Sequence, residues 1–505
     1  MSRILAMLKT IEKVWKGLAT GFRRTSKKAD LAFCAVFRDE APYLDEWIRF
    51  HLAQGVSHFY LYNHESSDHF EETLAPWQAQ GIVTLRQVGS KHQEDIYTEC
   101  LGRARKKFRW IGFLDIDEFI FSSKGMALPE VLKEYSNFAA VFVFWKLFGS
   151  GGRDFQSRNG VIESFTSCLG FPESAEQARL QVEDWKQLRY RDSGKPITGS
   201  PLQGKCLINL SKVKSMAIHF PEEFKGEVVD EQKRTILKQS EVSEIYTSDY
   251  APTIEQLRIN HYWSRGREAL VEKFSKPGVA KKPRDPDTKK LIEAALVRES
   301  MLNSDRDYTI LNYWRPISAP RIFLIGFNKT ATRAFSAFFD GNGIPAIHWD
   351  ENKMAGVMAS NLSNGRKVLD GYDSEFKFFS DFISLTESSK TEGNSFFREM
   401  DLHYPGSYFI LNNRDTASWI LSRELHNKGI FLEKNMSIMQ TDDPDVVRAQ
   451  WKKEKETHER EVREYFKGRR DFIEIDINSD GIPQKLSEFL EMELNISLWQ
   501  VVGKT

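Results

Sequence analysis

Short apolar runs of strand length recur from Leu31 onward, separated by stretches whose apolar residues fall at helical spacing. The first runs are "LAFCAVF" from Leu31, "HFYLYN" from His58, "GIVTLRQV" from Gly81 and "WIGFLDIDEFIF" from Trp110, with a helix expected over Tyr43–Gln54. Further strands are expected at "AAVFVFWKLF" and "KCLINL". Strands alternating with helices predict a mostly parallel, doubly wound α/β sheet, whose ligands collect at the carboxyl ends of the strands. Between Ser275 and Pro320 the chain turns polar and rich in Pro and Lys, which marks a domain boundary near Pro316–Pro320. A second α/β pattern begins at "RIFLIGF", continues through "SYFILNN" and "DFIEIDI", and ends in the amphipathic "PQKLSEFLEMEL". Two α/β domains in series are expected, over residues 29–316 and 317–505.

A different pattern precedes both. Ile4, Leu8, Ile11, Trp15, Leu18 and Phe22 recur at helical spacing in Met1–Lys28. Arg3, Lys9, Lys13, Lys16, Arg23, Arg24, Lys27 and Lys28 accompany them, opposed by Glu12 alone. Such an amphipathic helix suits the plane of an anionic leaflet, and equally a docking site on protein. The first alternative puts the protein in the cytoplasm, on the inner face of a membrane. Charge otherwise balances, with Lys+Arg 71 against Asp+Glu 71, so no nucleic acid is expected as a partner. No apolar run reaches the roughly 18 residues of a membrane span, and Met1–Asp30 lacks the apolar core of a signal peptide. Cys34, Cys100, Cys168 and Cys206 stand singly, without the spacing of a zinc site or a disulfide framework.

"FLDIDEF" places Asp115 and Asp117 two residues apart at the end of an apolar run. An extended chain turns both to one side, toward one hard cation such as Mn²⁺ or Mg²⁺ bridging a diphosphate. Together with this motif, the blocks Ala35–Asp68, "WKLFGSGG" (Trp145–Gly152), "VIESF" (Val161–Phe165), "KCLINLSKVKSMAIHF" (Lys205–Phe220) and "INHYWSRG" (Ile259–Gly266) resemble the family 2-like glycosyltransferases grouped with family 92. The match runs in order from about Ala29 to Tyr313. The resemblance implies a GT-A fold, a nucleotide-sugar donor of the UDP-sugar kind and a glycan or glycolipid acceptor. It assigns Arg38, Asp39 and Glu40 to the nucleotide, Asp68 to the base, and Asp115 and Asp117 to the metal and diphosphate. His219 is the third metal ligand by the same analogy, with His261 as competitor. Inversion at the anomeric centre requires a carboxylate to take the acceptor's proton, and Asp154 and Glu163 are the candidates. Trp145 and Trp263 are candidates for stacking on sugar faces, or for the core. Where the family has Gly-Ser-Ser-Gly-His, this chain reads Gly149-Ser150-Gly151-Gly152-Arg153, a departure that bears on acceptor choice.

"RIFLIGFNKTATRAF", from Arg321, reads as a buried strand, a turn and the start of an amphipathic helix, a combination that makes an anion site. It is not the phosphate loop G-x-x-x-x-G-K-[ST], because Lys329 comes three residues after Gly326 and no second Gly precedes it. Downstream, "FILNNRDTASWILSREL" places Arg414 at a strand end and Ser422 eight positions later on the following helix. The two segments together resemble the sulfotransferases that use 3′-phosphoadenosine-5′-phosphosulfate (PAPS), over about Arg321 to Leu498. The resemblance assigns the loop Phe327–Arg333, with Asn328, Lys329, Thr330, Ala331, Thr332 and Arg333, to the 5′-phosphosulfate, and Arg414 and Ser422 to the 3′-phosphate. A Lys at a helix N-terminus stabilises the leaving phosphate. The acceptor's base is His348 in "AIHWDE" or Asp381 in "FFSDF", the latter preferred because it follows an aromatic, strand-like run. The expectation is a bifunctional enzyme in the synthesis of a sulfated surface or extracellular polysaccharide. The rival keeps the glycosyltransferase and makes the second domain a non-catalytic or kinase-like nucleotide-binding module.

Overall fold

The computed structural model describes residues 28–500 except 90, 155–159, 190–193, 195, 197–199, 239–241, 243–245, 248–249 and 276–287. The basic helix expected over Met1–Lys28 lies outside them, Lys28 excepted. Among the described residues no helix is long and apolar enough to cross a membrane. The chain divides into two compact units, Met1–Ile310 and Leu311–Thr505. Pro316, where the polar stretch suggests a boundary, falls inside the helix Leu311–Ser318 of the second unit.

The first unit is built on a mixed sheet of eleven strands among the described residues. Strands β1 (Ala29–Phe37), β2 (His58–Asn63), β3 (Val83–Gln87) and β4 (Phe108–Phe113) run parallel in the order β4-β1-β2-β3. Helices α1 (Ala41–Ala53), α2 (Phe70–Ala79) and α3 (Gln93–Ala104) make the crossovers. Leu31 to Phe37 is buried throughout, which is why β1 reads as an unbroken apolar run rather than an alternation. Past β4 the pairing changes. β5 (Glu118–Phe121), β6 (Ala140–Phe148), β7 (Gly204–Asn209) and β8 (Arg258–Tyr262) follow, with α4 (Ala175–Lys186) between β6 and β7. β7 is antiparallel to both β4 and β6, and β8 is parallel to β6 but antiparallel to β5. The mostly parallel sheet expected is parallel in its first half only. Helices α5 (Arg267–Ser275) and α6 (Thr288–Glu299) follow β8.

The run "WIGFLDIDEFIF", expected as one strand, breaks in two. β4 ends at Phe113, β5 begins at Glu118, and the Glu118 N–H donates to the Asp115 carbonyl at 3.1 Å. Hydrophobic pattern hides this turn because Leu114 and Ile116 are buried like the strands on either side. Register then brings distant residues to it: His261 of β8 stands opposite Glu118 of β5 and Leu147 of β6. The segment at Asp307 is pinned to the same strands, since its carboxylate accepts from Lys146 of β6 at 2.6 Å and Arg258 of β8 at 3.1 Å.

The second unit has a sheet of five parallel strands among the described residues: β9 (Ile322–Leu324), β10 (Ala346–His348), β11 (Phe378–Ser380), β12 (Tyr408–Asn413) and β13 (Phe472–Asp476). Their order is β10-β11-β9-β12-β13. Central β9 pairs with β11 on one side and β12 on the other, so the loop that leaves it lies at the point where the order reverses, a natural ligand position. Helix α7 (Thr332–Gly341) starts straight after that loop, and α8 (Thr416–Glu424) follows β12. The long amphipathic helix α9 (Pro444–Tyr465) buries Val447, Trp451 and Val462.

Candidate functional site

In the first unit Asp115 and Asp117 occupy the turn between β4 and β5, not an extended strand end, and different cations meet their carboxylates. Lys205, buried at the head of β7, donates to Asp115 Oδ2 at 3.1 Å and stands 3.8 Å from Glu118 Oε1. Gln93 donates to the other Asp115 oxygen at 3.3 Å. Asp117 Oδ2 accepts from Lys273 of α5 at 2.5 Å and lies 3.6 Å from His261 Nε2. Burial opposes ionisation of both acids. Lys205 outweighs it at Asp115, and Lys273 with His261 at Asp117, so both carboxyls are held below their usual range. At Glu118 burial wins and drives the carboxyl well above that range, with Lys205 only partly offsetting it.

His219 lies 3.0 Å through Nδ1 from the Gly204 carbonyl. A carbonyl only accepts, so Nδ1 carries the hydrogen and Nε2 keeps its lone pair. Burial, reinforced by Lys205, lowers this imidazole to about 3 and keeps it neutral. Burial lowers His261 as well, against the pull of Asp117. Among the described residues no three His, Cys, Asp or Glu side chains are gathered closely enough to hold a metal ion. The expected set Asp115, Asp117 and His219 has suitable chemistry, two ionised carboxylates and a neutral imidazole, while ammonium groups take the carboxylates' charge. Beside the two histidines opens a cavity of about 230 Å³, walled in part by Trp145, Trp185, Trp263 and Arg298.

The residues expected at the nucleotide are placed at the ends of β1 and β2. Asp39, with φ of 53°, accepts from the Ser67 N–H at 2.6 Å, and Asp68 caps α1 by accepting from the Ala41 N–H at 2.7 Å. The second Asp68 oxygen is buried without a hydrogen-bond partner among the described residues. Arg38 lies 3.8 Å from Glu65, and Glu40 is held bidentately by Arg265 at 2.6 and 2.9 Å. Of the two candidate bases, Asp154 is exposed in the loop after β6. Glu163 is buried on the short helix Val161–Ser164, where it repels Glu46. Glu46 itself is pushed up to about 7, chiefly by burial. Sequence reasoning missed Lys205, Lys273, Trp185 and Arg298. A Lys heading the apolar strand "KCLINL" is the one visible sign of a buried charge among them.

In the second unit the loop after β9 is latched from β12. The Gly326 N–H donates to Asn412 Oδ1 at 2.9 Å, and Asn412 Nδ2 donates to the Thr330 carbonyl at 2.8 Å and hydroxyl at 2.5 Å. A Cβ on Gly326 would lie 2.2 Å from the Asn412 carbonyl oxygen, so only glycine fits. Asn328 is fixed by Trp419, which donates to its carbonyl at 2.9 Å, and by Arg423, which donates to its side chain at 2.7 Å. Lys329 and Ala331 adopt left-handed backbone, φ 67° and 60°, and Ala331 caps α7. Arg414 donates to the Lys329 carbonyl at 3.3 Å. Burial, with Arg333 and Arg414, lowers the Lys329 ammonium against the opposing Asp381. Its Nζ lies 3.4 Å from His426 Nδ1, a neighbour the sequence reading did not name. Ser422 is half-buried in the last turn of α8, two residues before its end.

The two candidate bases of this unit meet. Thr332 Oγ1 lies 3.1 Å from His348 Nε2 and donates to Asp381 Oδ2 at 3.2 Å, and His348 Nε2 is 3.4 Å from that same oxygen. Burial raises the Asp381 carboxyl, with His348 opposing, and burial lowers His348. Strand pairing explains the meeting: His348 ends β10 opposite Ser380 of β11, and Asp381 is the next residue, at φ 61°.

Known proteins bear on the first unit. Residues 29–280 match the family described as Glycosyltransferase family 92. A family 92 protein of Oryza sativa subsp. japonica is 32% identical over 152 residues, 29% of this chain and 26% of that one. A galactan beta-1,4-galactosyltransferase of Arabidopsis thaliana is 30% identical over 132 residues, 23% of this chain and 25% of that one. The matched stretch thus spans about a quarter of the length of these curated relatives. A solved structure, S. aureus TarS 1-349, covers 68% of this chain and 91% of its own at 11% identity, but with a TM-score of 0.25 it carries no argument. The stretch matched by the family takes in the turn with Asp115 and Asp117, Lys205, His219 and His261. The N-terminal region of this chain is a glycosyltransferase family 92 domain.

Proposed function

We propose that the first unit, a GT-A fold on this reading, transfers a sugar with inversion from a UDP-sugar to a glycan or glycolipid hydroxyl. The observation that carries the reading is the acidic turn itself: two carboxylates kept ionised beside two neutral imidazoles, inside the stretch matched by family 92. The relatives' names support it, one of them a galactan galactosyltransferase. Asp115, Asp117 and His219, not gathered around one point in this structure, are the residues that would have to draw together to hold Mn²⁺ or Mg²⁺, which when bound would supply positive charge to the donor diphosphate. Lys205 keeps Asp115 ionised, and Lys273 with His261 does the same for Asp117. Arg38, Asp39 and Asp68 lie where β1 and β2 end, the expected place for the nucleotide. Asp154 and Glu163 are the candidates for the acceptor's proton. Glycosyl transfer assayed with and without a chelator tests the metal role, and Asp117→Asn should abolish the metal-dependent part. Full transfer after chelation would overturn it.

For the second unit the proposed reaction is sulfuryl transfer from PAPS to a glycan hydroxyl. What supports it is the convergence of Lys329, Arg333 and Arg414 on a latched loop at a helix N-terminus, with Thr332, His348 and Asp381 joined beside it. Lys329 would stabilise charge on the leaving phosphate, Arg414 with Ser422 would hold the 3′-phosphate, and the His348–Asp381 pair would take the acceptor's proton. Calorimetry decides: adenosine 3′,5′-bisphosphate should bind far better than adenosine 5′-monophosphate. Equal affinities, or a preference for ATP, would bring the kinase-like or non-catalytic module forward. Lys329→Ala should cut turnover by about a hundredfold while Arg414→Ala chiefly weakens nucleotide binding.

The basic segment Met1–Lys28 is proposed to hold the protein on the cytoplasmic face of an anionic membrane. Sedimentation with vesicles of phosphatidylserine and phosphatidylcholine should show binding that disappears when the segment is deleted. Equal binding by the shortened chain would remove the idea.

A further inference from the structure

Helix α8 meets the loop after β9 at several points along its length. Arg414, before its first turn, donates to the Lys329 carbonyl at 3.3 Å. Trp419 donates to the Asn328 carbonyl at 2.9 Å, and Arg423, one turn further on, donates through Nε to Asn328 Oδ1 at 2.7 Å. Residues four apart share a helix face, which is why Trp419 and Arg423 reach the same partner. Ser422 precedes Arg423 on that helix.

Arg423 is an unexpected filling for the space it occupies. It is 0% exposed, and its guanidinium carbon lies 4.4 to 5.4 Å from the ring centres of Phe327, Trp419, Phe431 and Trp451. Nη2 donates to Glu392 Oε1 at 2.7 Å, while Nη1 is buried without a hydrogen-bond partner among the described residues. Burying a charge and an unmet donor is costly, and an apolar side chain in such a place is often neutral or stabilising, so stability alone does not call for arginine here. What the guanidinium supplies is direction, because two nitrogens of one rigid plane reach two different elements. Asn328 belongs to the loop after β9. Glu392 stands opposite Ile383 in the hairpin that follows Asp381. The loop has further supports of its own, since Asn412 latches Gly326 and Thr330, and Trp419 holds the Asn328 carbonyl. Ser422 moves with α8.

We propose that Arg423 is a positioning residue: it fixes the span between the loop that would hold the 5′-phosphosulfate and Ser422, which with Arg414 would hold the 3′-phosphate, and so makes the site select a nucleotide phosphorylated at both positions. The proposal rests on reading the second unit as a PAPS site. Arg423 acts through the placement of α8 and not on the nucleotide itself.

Calorimetry on the full chain with adenosine 3′,5′-bisphosphate and adenosine 5′-monophosphate tests it. Arg423→Met keeps an apolar side chain within the aromatic walls, and Lys390, 3.7 Å from Glu392, remains to face that acid. This variant should lose about tenfold or more in affinity for the bisphosphate and less than about threefold for the monophosphate. A purely structural role would weaken both alike. Ser422→Ala should cost much less affinity in the Arg423→Met background than in the wild type, because a displaced helix no longer brings the hydroxyl to the phosphate. Arg423→Lys keeps the buried charge but loses the planar fork. It should show the same selective loss, and it carries the test if the Met variant does not fold. Equal losses for the two nucleotides, or additive effects of Arg423→Met and Ser422→Ala, overturn the proposal. A wild-type protein that binds the two nucleotides equally overturns the PAPS reading instead, and the positioning role falls with it.

Discussion

A single buried lysine shows how the first site is balanced. Lys205 is 1% exposed, yet burial fails to strip its proton because Asp115 and Glu118 stand beside it. One cation faces two acids there, so Asp115 stays ionised and Glu118 takes up a proton more readily. Lys205→Met should therefore leave Asp115 without its counter-charge in a desolvated turn. The expected cost is about 3 kcal/mol of stability, read as a lower unfolding midpoint for the first unit, together with weaker UDP binding by calorimetry. A variant with wild-type stability would mean that the ammonium is dispensable. Asp115 and Asp117 are legible in the sequence because they share one short motif. Their partners are not: Lys205 lies 90 residues from Asp115, and Lys273 lies 156 from Asp117.

At the scale of elements, two ties carry predictions. Asp307 fastens its segment to β6 and β8 through Lys146 and Arg258. Burial opposes ionisation of Asp307, but the two cations prevail and hold it far below the usual carboxylate range. The folded state then binds fewer protons than the unfolded chain. The stability contributed is present above about pH 4 and is lost as pH falls through the acid range. Asp307→Asn should cost about 3–5 kcal/mol at neutral pH and flatten the acid side of the stability profile, checked by denaturant unfolding across pH. In the second unit Asn412 joins β12 to the loop after β9. Asn412→Ala would leave the buried Gly326 N–H unsatisfied, at about 1–3 kcal/mol, and should loosen bisphosphate binding by about tenfold in calorimetry. Hydrophobic runs announce β1, β2 and β12 well, because these strands are buried along their length. They do not announce β10, whose three residues give no period to read, whereas β11 shows as the aromatic, strand-like run before Asp381.

For the whole molecule, each unit is expected to hold its own nucleotide with residues of its own. Asp117→Asn should leave binding of adenosine 3′,5′-bisphosphate unchanged, and Lys329→Ala should leave UDP binding unchanged, both measured by calorimetry on the full chain. A cross effect larger than about tenfold would show that the sites are energetically coupled. The sequence by itself determined that two α/β patterns follow one another, where the acidic motif and the anion loop lie, and which strands are fully buried. These features are local: hydrophobic period, turn chemistry and motif spacing act over a few residues. Tertiary structure alone decided that the sheet turns antiparallel after β4 and that the acidic motif is a turn. It also decided that His348 and Asp381 share one oxygen contact, and that Trp185 and Arg298 wall the same cavity as His219 and His261. Those facts come from strand register and crossover, which bring together residues tens to hundreds of positions apart, and no periodicity along the chain encodes which strand will lie beside which.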